Sequence, residues 1–268
     1  VHELQQNPDI AMNVATQLRS TLLFLAIGLG ITGCGLLDPE PEGPNVLGGN
    51  PDLEMTEVGK TWDASPDLSD VFPGKEYGFK DSVVVKARSN GIVTMDVNLR
   101  FDTQLLNDMD TLAGTHVLPL EARLAVLDAL AKRFGATIDT TESGVVRIHA
   151  EPKFKVTSDG IQEFVSAKGN TNKPFTIIKY NMNVGDSWSF TDEDGVKTTR
   201  TVTYKSTDDD YPVYFWMIKV FKTESVTEND PVLERITYIT NHKYGPVGAL
   251  VRLKNGKEFT IGVYSPLW

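Results

Sequence analysis

From Ile92 to Arg100 apolar and polar residues alternate without a break. Val93, Met95, Val97 and Leu99 fall on one face, and Thr94, Asp96, Asn98 and Arg100 on the other. Period two is the mark of a half-buried strand. The arm before it carries Val83-Val84-Val85, and Ser89-Asn90-Gly91 lies between the two arms. Asn-Gly suits the two positive φ angles of a tight hairpin turn, so residues 82–100 are predicted to form a β-hairpin. Beyond Gly135 the same signals recur to the end of the chain. Strands are expected at 137–141, 145–150, 154–157, 161–167, 175–180, 187–191, 196–205, 213–223, 235–240, 247–253 and 258–264, several of them joined by Gly- or Asn/Asp-containing turns.

One segment has helical spacing. Leu120, Leu124, Leu127, Leu130 or Ala131, and Phe134 recur on one face, with Pro119 at the start and Gly135 just past the end. Glu121 near the start and Lys132 and Arg133 near the end complement the helix dipole. The expected fold class is therefore α+β and mainly β: an antiparallel sandwich or barrel-like sheet with one amphipathic helix over 119–134.

The run from Val213 to Phe221 is apolar on both alternating faces. It suits a central strand buried on both sides. It also suits a barrel strand with one face on an apolar cavity, or an exposed edge that docks a partner. Tyr214 and Trp216, with Trp188 and Tyr238, are the candidate ligand-binding aromatics; core packing is the competing reading of each.

A second apolar stretch lies near the N-terminus. Leu22 to Ile31 carries no charge, Arg19 precedes it, and Ile31-Thr32-Gly33-Cys34 closes it. A spanning helix needs about 20 apolar residues, so the run is too short for one. A basic residue, a short apolar core and small residues at the cut are the pattern of an export signal. Because Glu3 and Asp9 precede Met12, Met12 is the favoured start. The segment resembles the signal of bacterial lipoproteins. The resemblance implies that residues 1–33 are removed and that Cys34, bearing palmitate-type acyl chains, becomes the first mature residue. It also implies an anchor in the cell envelope, with the outer membrane the expected site and its face open. Cys34 is the only cysteine, so the remaining chain has no thiol for a disulfide, a thiolate metal site or a nucleophile.

Charge divides the chain after this point. The formal net charge is -10, yet residues 35–76 alone hold ten acids against Lys60 and Lys75, and residues 77–268 are nearly balanced. The acidic stretch is also rich in Pro and Gly. Low hydrophobicity with like charges favours a flexible spacer, so residues 34–76 are expected to be a lipidated tether. Trp62 and Phe72 are candidates to dock its end on the domain. Asp38-Pro39-Glu40-Pro41-Glu42 also resembles the surface-export signals of some Bacteroidetes lipoproteins. Residues 77–268 are expected to form the β-rich globular domain, with a division near residue 168 as an option. A near-neutral domain behind an acidic tail carries no electrostatic footprint for nucleic acid.

"VGDSWSF" from Val184 and "YGPVGALV" ending at Val251 resemble a recurrent β-domain of uncharacterised envelope lipoproteins, which implies a β-rich envelope domain and no particular chemistry. Gly185-Asp186-Ser187 reads as a turn, because no Asp-x-x-His partner accompanies it at Asn241-His242. His116, His149 and His242 are isolated in sequence. Acidic clusters occur at Asp208-Asp209-Asp210, at Asp192-Glu193-Asp194-Gly195 and around Met109. Only Asp208, Asp209 and Asp210 are kept as calcium candidates, without the full calcium-loop frame. No catalytic set or cofactor motif is found. The expectation is a lipid-anchored envelope protein with a non-catalytic binding or accessory-subunit role, its partners the membrane and another envelope protein. The alternatives are a carrier of an apolar ligand in a β-barrel pocket and a carbohydrate-active enzyme.

Overall fold

The computed structural model describes residues 45–112, 136–213, 215–230 and 233–267. Cys34, the apolar run before it, the helix expected over 119–134, and Tyr214 lie outside them.

The fold is mainly β, as the alternation requires. Strands β1 (Thr61–Asp67), β2 (Lys80–Ser89) and β3 (Ile92–Asp102) lead into helix α1 (Thr103–Leu112). Then come β4 (Ala136–Asp139), β5 (Val145–Ala150), β6 (Lys153–Thr157), β7 (Gly160–Glu163) and β8 (Phe175–Lys179). The second half holds β9 (Ser187–Thr191), β10 (Lys197–Lys205), β11 (Tyr211–Val213), β12 (Trp216–Ile218), β13 (Phe221–Thr227), β14 (Leu233–Asn241), β15 (Gly245–Leu253) and β16 (Glu258–Tyr264). The main sheet runs β8-β7-β6-β3-β2-β1-β16-β15-β14-β13-β10-β9, with β5 and β4 branching from β3. Every pairing is antiparallel, and the sheet curls into a nearly closed, barrel-like body.

The β2–β3 hairpin turns at Asn90 and Gly91, whose φ angles of 51° and 73° are the two positive values that the sequence predicts there. At Gly160, which opens β7, a Cβ would overlap the carbonyl oxygen of Ile178 on β8, so only glycine lets these strands approach. Helix α1, which periodicity does not reveal, buries Leu105 and Met109 in the core one turn apart, with Leu106 partly buried against it.

The flexible tether expected up to residue 76 is corrected by the structure. The chain is packed from Asn45 onward. Gln162 donates to the Asn45 carbonyl at 2.9 Å, and the Thr176 amide donates to Asn45 Oδ1 at 3.0 Å. Lys155 Nζ holds the Leu47 carbonyl, and Arg88 holds Asp52, the Leu53 carbonyl and Thr56. Strand β1 then lies between β2 and β16, pairing Trp62 with Val83 and Asp63 with Tyr264. Trp62 is 1% exposed. Its neighbours Asp63, Pro66 and Asp67 made the segment read as polar. The alternation of exposed Thr61 and Asp63 with buried Trp62 and Ala64 is too short to outweigh them. Phe72 is buried too, and Lys257 Nζ bonds the Val71 carbonyl. On α1, Asp108 accepts from Lys75 and Tyr77. Burial pushes the Asp108 carboxyl up, but the bonds from Lys75, Tyr77 and Gln104 outweigh it and hold the group below the ordinary range.

The main apolar core runs through both halves. It joins Trp62, Phe101, Phe154 and Phe175 to Trp188, Val202, Val251 and Ile261, so the optional division near residue 168 does not split it.

Asp81 on β2 accepts from the Ala64 amide at 2.6 Å. Burial, assisted by Asp63, raises its carboxyl above the ordinary value despite that bond. The folded state therefore binds this proton more tightly than the unfolded state, and stability falls as pH rises from the ordinary aspartate range upward. Asp81→Asn keeps an acceptor for Ala64 and removes the buried charge. Urea melts across mildly acidic to neutral pH should show it flattening this slope and gaining stability at neutral pH. An unchanged slope would refute the assignment.

Candidate functional site

The aromatic candidates separate by burial. Trp188, on β9, is 5% exposed, and its Nε1 donates to the Thr176 carbonyl of β8 at 2.7 Å. Tyr238, on β14, is 6% exposed, and burial raises its phenol above the ordinary value. Both belong to the seam where the ends of the sheet, β8 and β9, meet. There Arg200 of β10 donates from Nη1 to the Phe175 and Thr176 carbonyls and from Nη2 to Glu163 Oε1 at 3.2 Å. Its guanidinium lies 3.7 Å from the Phe175 ring centroid, and Phe175 stacks on Phe190. Glu163 also accepts from the amide and hydroxyl of Ser166. Trp188 is thus structural, and Tyr238 is buried beside Arg200 at the floor of a cleft.

Trp216 is 73% exposed, Phe215 98% and Met217 52%. They form the tip of the β11–β12 hairpin, a two-stranded finger outside the main sheet that pairs Tyr211 with Ile218 and Val213 with Trp216. The continuous strand expected over 213–223 is therefore corrected: it breaks after Ile218 and resumes at Phe221 as β13. The break is held by distant side chains. Asn241 Nδ2 donates to the Lys219 carbonyl at 2.6 Å, and the Val220 amide donates to Ser206 Oγ at 2.9 Å, replacing ladder bonds. The inward residues Val213, Ile218 and Val220 pack against Ile239 and Val247 in a small second core, with Tyr211 and Tyr244 beside it. That packing opposes the reading of an apolar cavity lined by this run.

Charged groups surround the base of the finger. Lys219 Nζ bonds the Thr207 carbonyl, Lys222 lies over the rings of Tyr204 and Tyr211, and Lys243 lies over Tyr244. Burial, then Lys219 and Lys243, hold the His242 imidazole below its ordinary value, with Asp209 opposing. Asp208, Asp209 and Asp210 are exposed; Asp210 accepts from Ser206 and Tyr204, and Asp208 from Thr207. These bonds turn the acidic run into loop caps and do not gather it around a common point.

Among the described residues, three metal-ligating atoms lie within 4.8 Å of one another at Asp96, His149 and Glu151. Pairing of β3 with β5 brings His149 Nε2 to 2.8 Å from Asp96 Oδ1, a juxtaposition invisible while His149 stood alone in sequence. Lys86 Nζ already holds Glu151 Oε1 at 2.5 Å, so a cation occupies one side of the cluster. A cleft of about 250 Å³ with a mixed polar and apolar lining opens above Arg200 and Tyr238, between the Val165–Lys168 loop and the β9–β10 turn. Its rim cations are paired, Lys168 with Asp194 at 3.6 Å and Lys197 with Glu228 at 3.4 Å. Trp216 is not part of this cleft. The combination of a tryptophan beside convergent carboxylates, which a sugar-cleaving site would use, is not assembled there.

In the Gly185-Asp186-Ser187 turn, Asp186 accepts from the Asn183 amide, and Ser187 Oγ bonds the Arg200 carbonyl and Thr201. The serine begins a strand, as expected of a turn. Among the described residues no helix is long and apolar enough to cross a membrane. The chain matches no protein-family model, and no characterised protein matches it in sequence.

Proposed function

We propose that this is a lipid-anchored cell-envelope protein with a non-catalytic binding role, and that the β11–β12 finger is its docking element. The observation that carries the reading is the tip itself: Phe215, Trp216 and Met217 stand in solvent while Val213, Ile218 and Val220 of the same run are packed. A contiguous apolar tip rimmed by charge is costly to leave wet and marks an interaction site. Aromatic side chains and methionine are the residue types that carry binding energy at such sites. The Cys34 motif supports an anchor, with the outer membrane as its expected place.

Hydroxyl-radical footprinting of the protein in its own membranes, and after detergent extraction, tests the binding role. The expected result is protection of Phe215, Trp216 and Met217 in membranes and their oxidation after extraction. Equal oxidation in both states would sink the reading. Intact mass of the same sample tests the anchor, which requires a chain beginning at Cys34 and carrying acyl mass.

A further inference from the structure

Resting on that reading, we infer that the occupant of the finger is the lipid surface itself: Phe215, Trp216 and Met217 dip into the bilayer interface beside the acyl anchor. Three observations converge on a lipid surface rather than a protein groove.

The first is reach. The chain is already packed on the domain at Asn45, well before residue 76. The eleven residues from Gly35 to Asn45 span at most about 40 Å when fully extended. An acylated Cys34 therefore keeps the domain against the membrane.

The second is placement. Asn45 is bonded to Thr176 on β8, and the next residue after β8, Tyr180, reaches the base of the finger. Its ring lies 5.5 Å from that of Phe221 and 6.4 Å from that of His242, and its hydroxyl faces the Asn241 carbonyl. Asn241 in turn holds Lys219, directly after β12. Thr176 and Tyr180 are four residues apart, about 13 Å along a strand. Asn45 and the root of the finger thus lie toward the two ends of one short strand, within reach of a single patch of membrane.

The third is the tip's size and chemistry. An aromatic side chain brings about 150–250 Å², so even at the upper figure the three residues stay below the roughly 800 Å² per partner of a standard protein interface. A bilayer interface has no such minimum, and tryptophan prefers it, with its ring at the headgroup level. Beside the exposed Asp208, Asp209 and Asp210, the side chains of Lys219, Lys222 and Lys243 at the base can meet headgroup phosphates. They stand there although the whole chain is acidic.

The test uses the acylated protein purified from its membranes and reconstituted into vesicles of phosphatidylethanolamine and phosphatidylglycerol, with and without brominated acyl chains. Trp216→Leu provides the reference. Trp62, Trp188 and Trp268 are common to both proteins, so the difference in emission between them isolates Trp216. The expected result is a blue-shifted difference spectrum that brominated lipid quenches several-fold. Lys219→Glu with Lys243→Glu should reduce that quenching, and near-ultraviolet circular dichroism should show each variant folded. A red-shifted difference spectrum that brominated lipid leaves unchanged would overturn the inference, as would a stoichiometric protein partner that must be added before Trp216 is shielded. An acylated Cys34 without quenching refutes insertion and leaves the anchor standing. A bare Cys34 with quenching refutes the anchor and leaves insertion standing.

Discussion

Arg200→Ala should lower the unfolding free energy by roughly 3–5 kcal/mol, the largest loss expected from a single polar side chain here. The side chains of Arg200 and Glu163 are only 3% and 5% exposed, so neither charge is relieved by water. Removing the guanidinium leaves a buried carboxylate with only Ser166 to satisfy it. It also strips donors from the Phe175 and Thr176 carbonyls, although Trp188 still reaches Thr176. These bonds join β10 to β7 and β8 across a gap that no backbone ladder closes, so the same substitution should loosen the seam locally. Arg200→Met combined with Glu163→Leu removes both charges together and should cost less than Arg200→Ala, because no lone charge remains buried. Urea midpoints, with hydrogen exchange at β8 and β9, provide the check. A loss below about 1 kcal/mol would place the pair among weak surface ion pairs and refute its role as a clasp.

Trp62→Ala should cost a similar amount, about 3–5 kcal/mol, the usual range for deleting a large aromatic from a packed core. A tryptophan on a spacer would cost almost nothing, so this measurement separates a central strand from a tether. The finer prediction concerns the indole nitrogen. Trp62 Nε1 is buried without a hydrogen-bond partner. An unmade bond of this kind costs about 1–3 kcal/mol. Trp62→Phe gives up apolar volume but also removes the orphaned donor, so it should destabilise far less than Trp62→Ala. Equal losses for the two variants would show that the N–H finds a partner in solution.

Local patterning made the strands legible, and non-local pairing hid the rest. The alternation of β3 and the Asn90-Gly91 turn depend only on neighbouring residues, and both appear where the sequence places them. Strand β1 was masked because aspartates and proline surround its few inward residues, and only β2 and β16 supply the context that buries Trp62. The apolar run over 213–221 was visible. Its division into a finger and β13 was not, because Ser206 and Asn241 enforce it from elsewhere in the chain. The same limit applied to the aromatics. Nothing near Trp188, Trp216 or Tyr238 in sequence tells which one stands in solvent. That depends on the carbonyl of Thr176 and on Arg200, which meet two of them only after the sheet curls.

The pairing of β1 with β16 sets Asp63 opposite Tyr264, about two hundred positions along the chain. Contacts of such high sequence separation raise contact order and slow folding. In this topology they are also the last to become available. Until β16 is complete, β1 and β15 each expose an unpaired edge, the kind of template that recruits another chain. The protein is thus expected to complete its sheet only after β16 has emerged, and to need protection against aggregation until then. Truncation within β16 should yield insoluble protein rather than a slightly weakened one, a threshold that deletion of the apolar finger, outside the main sheet, would not cross.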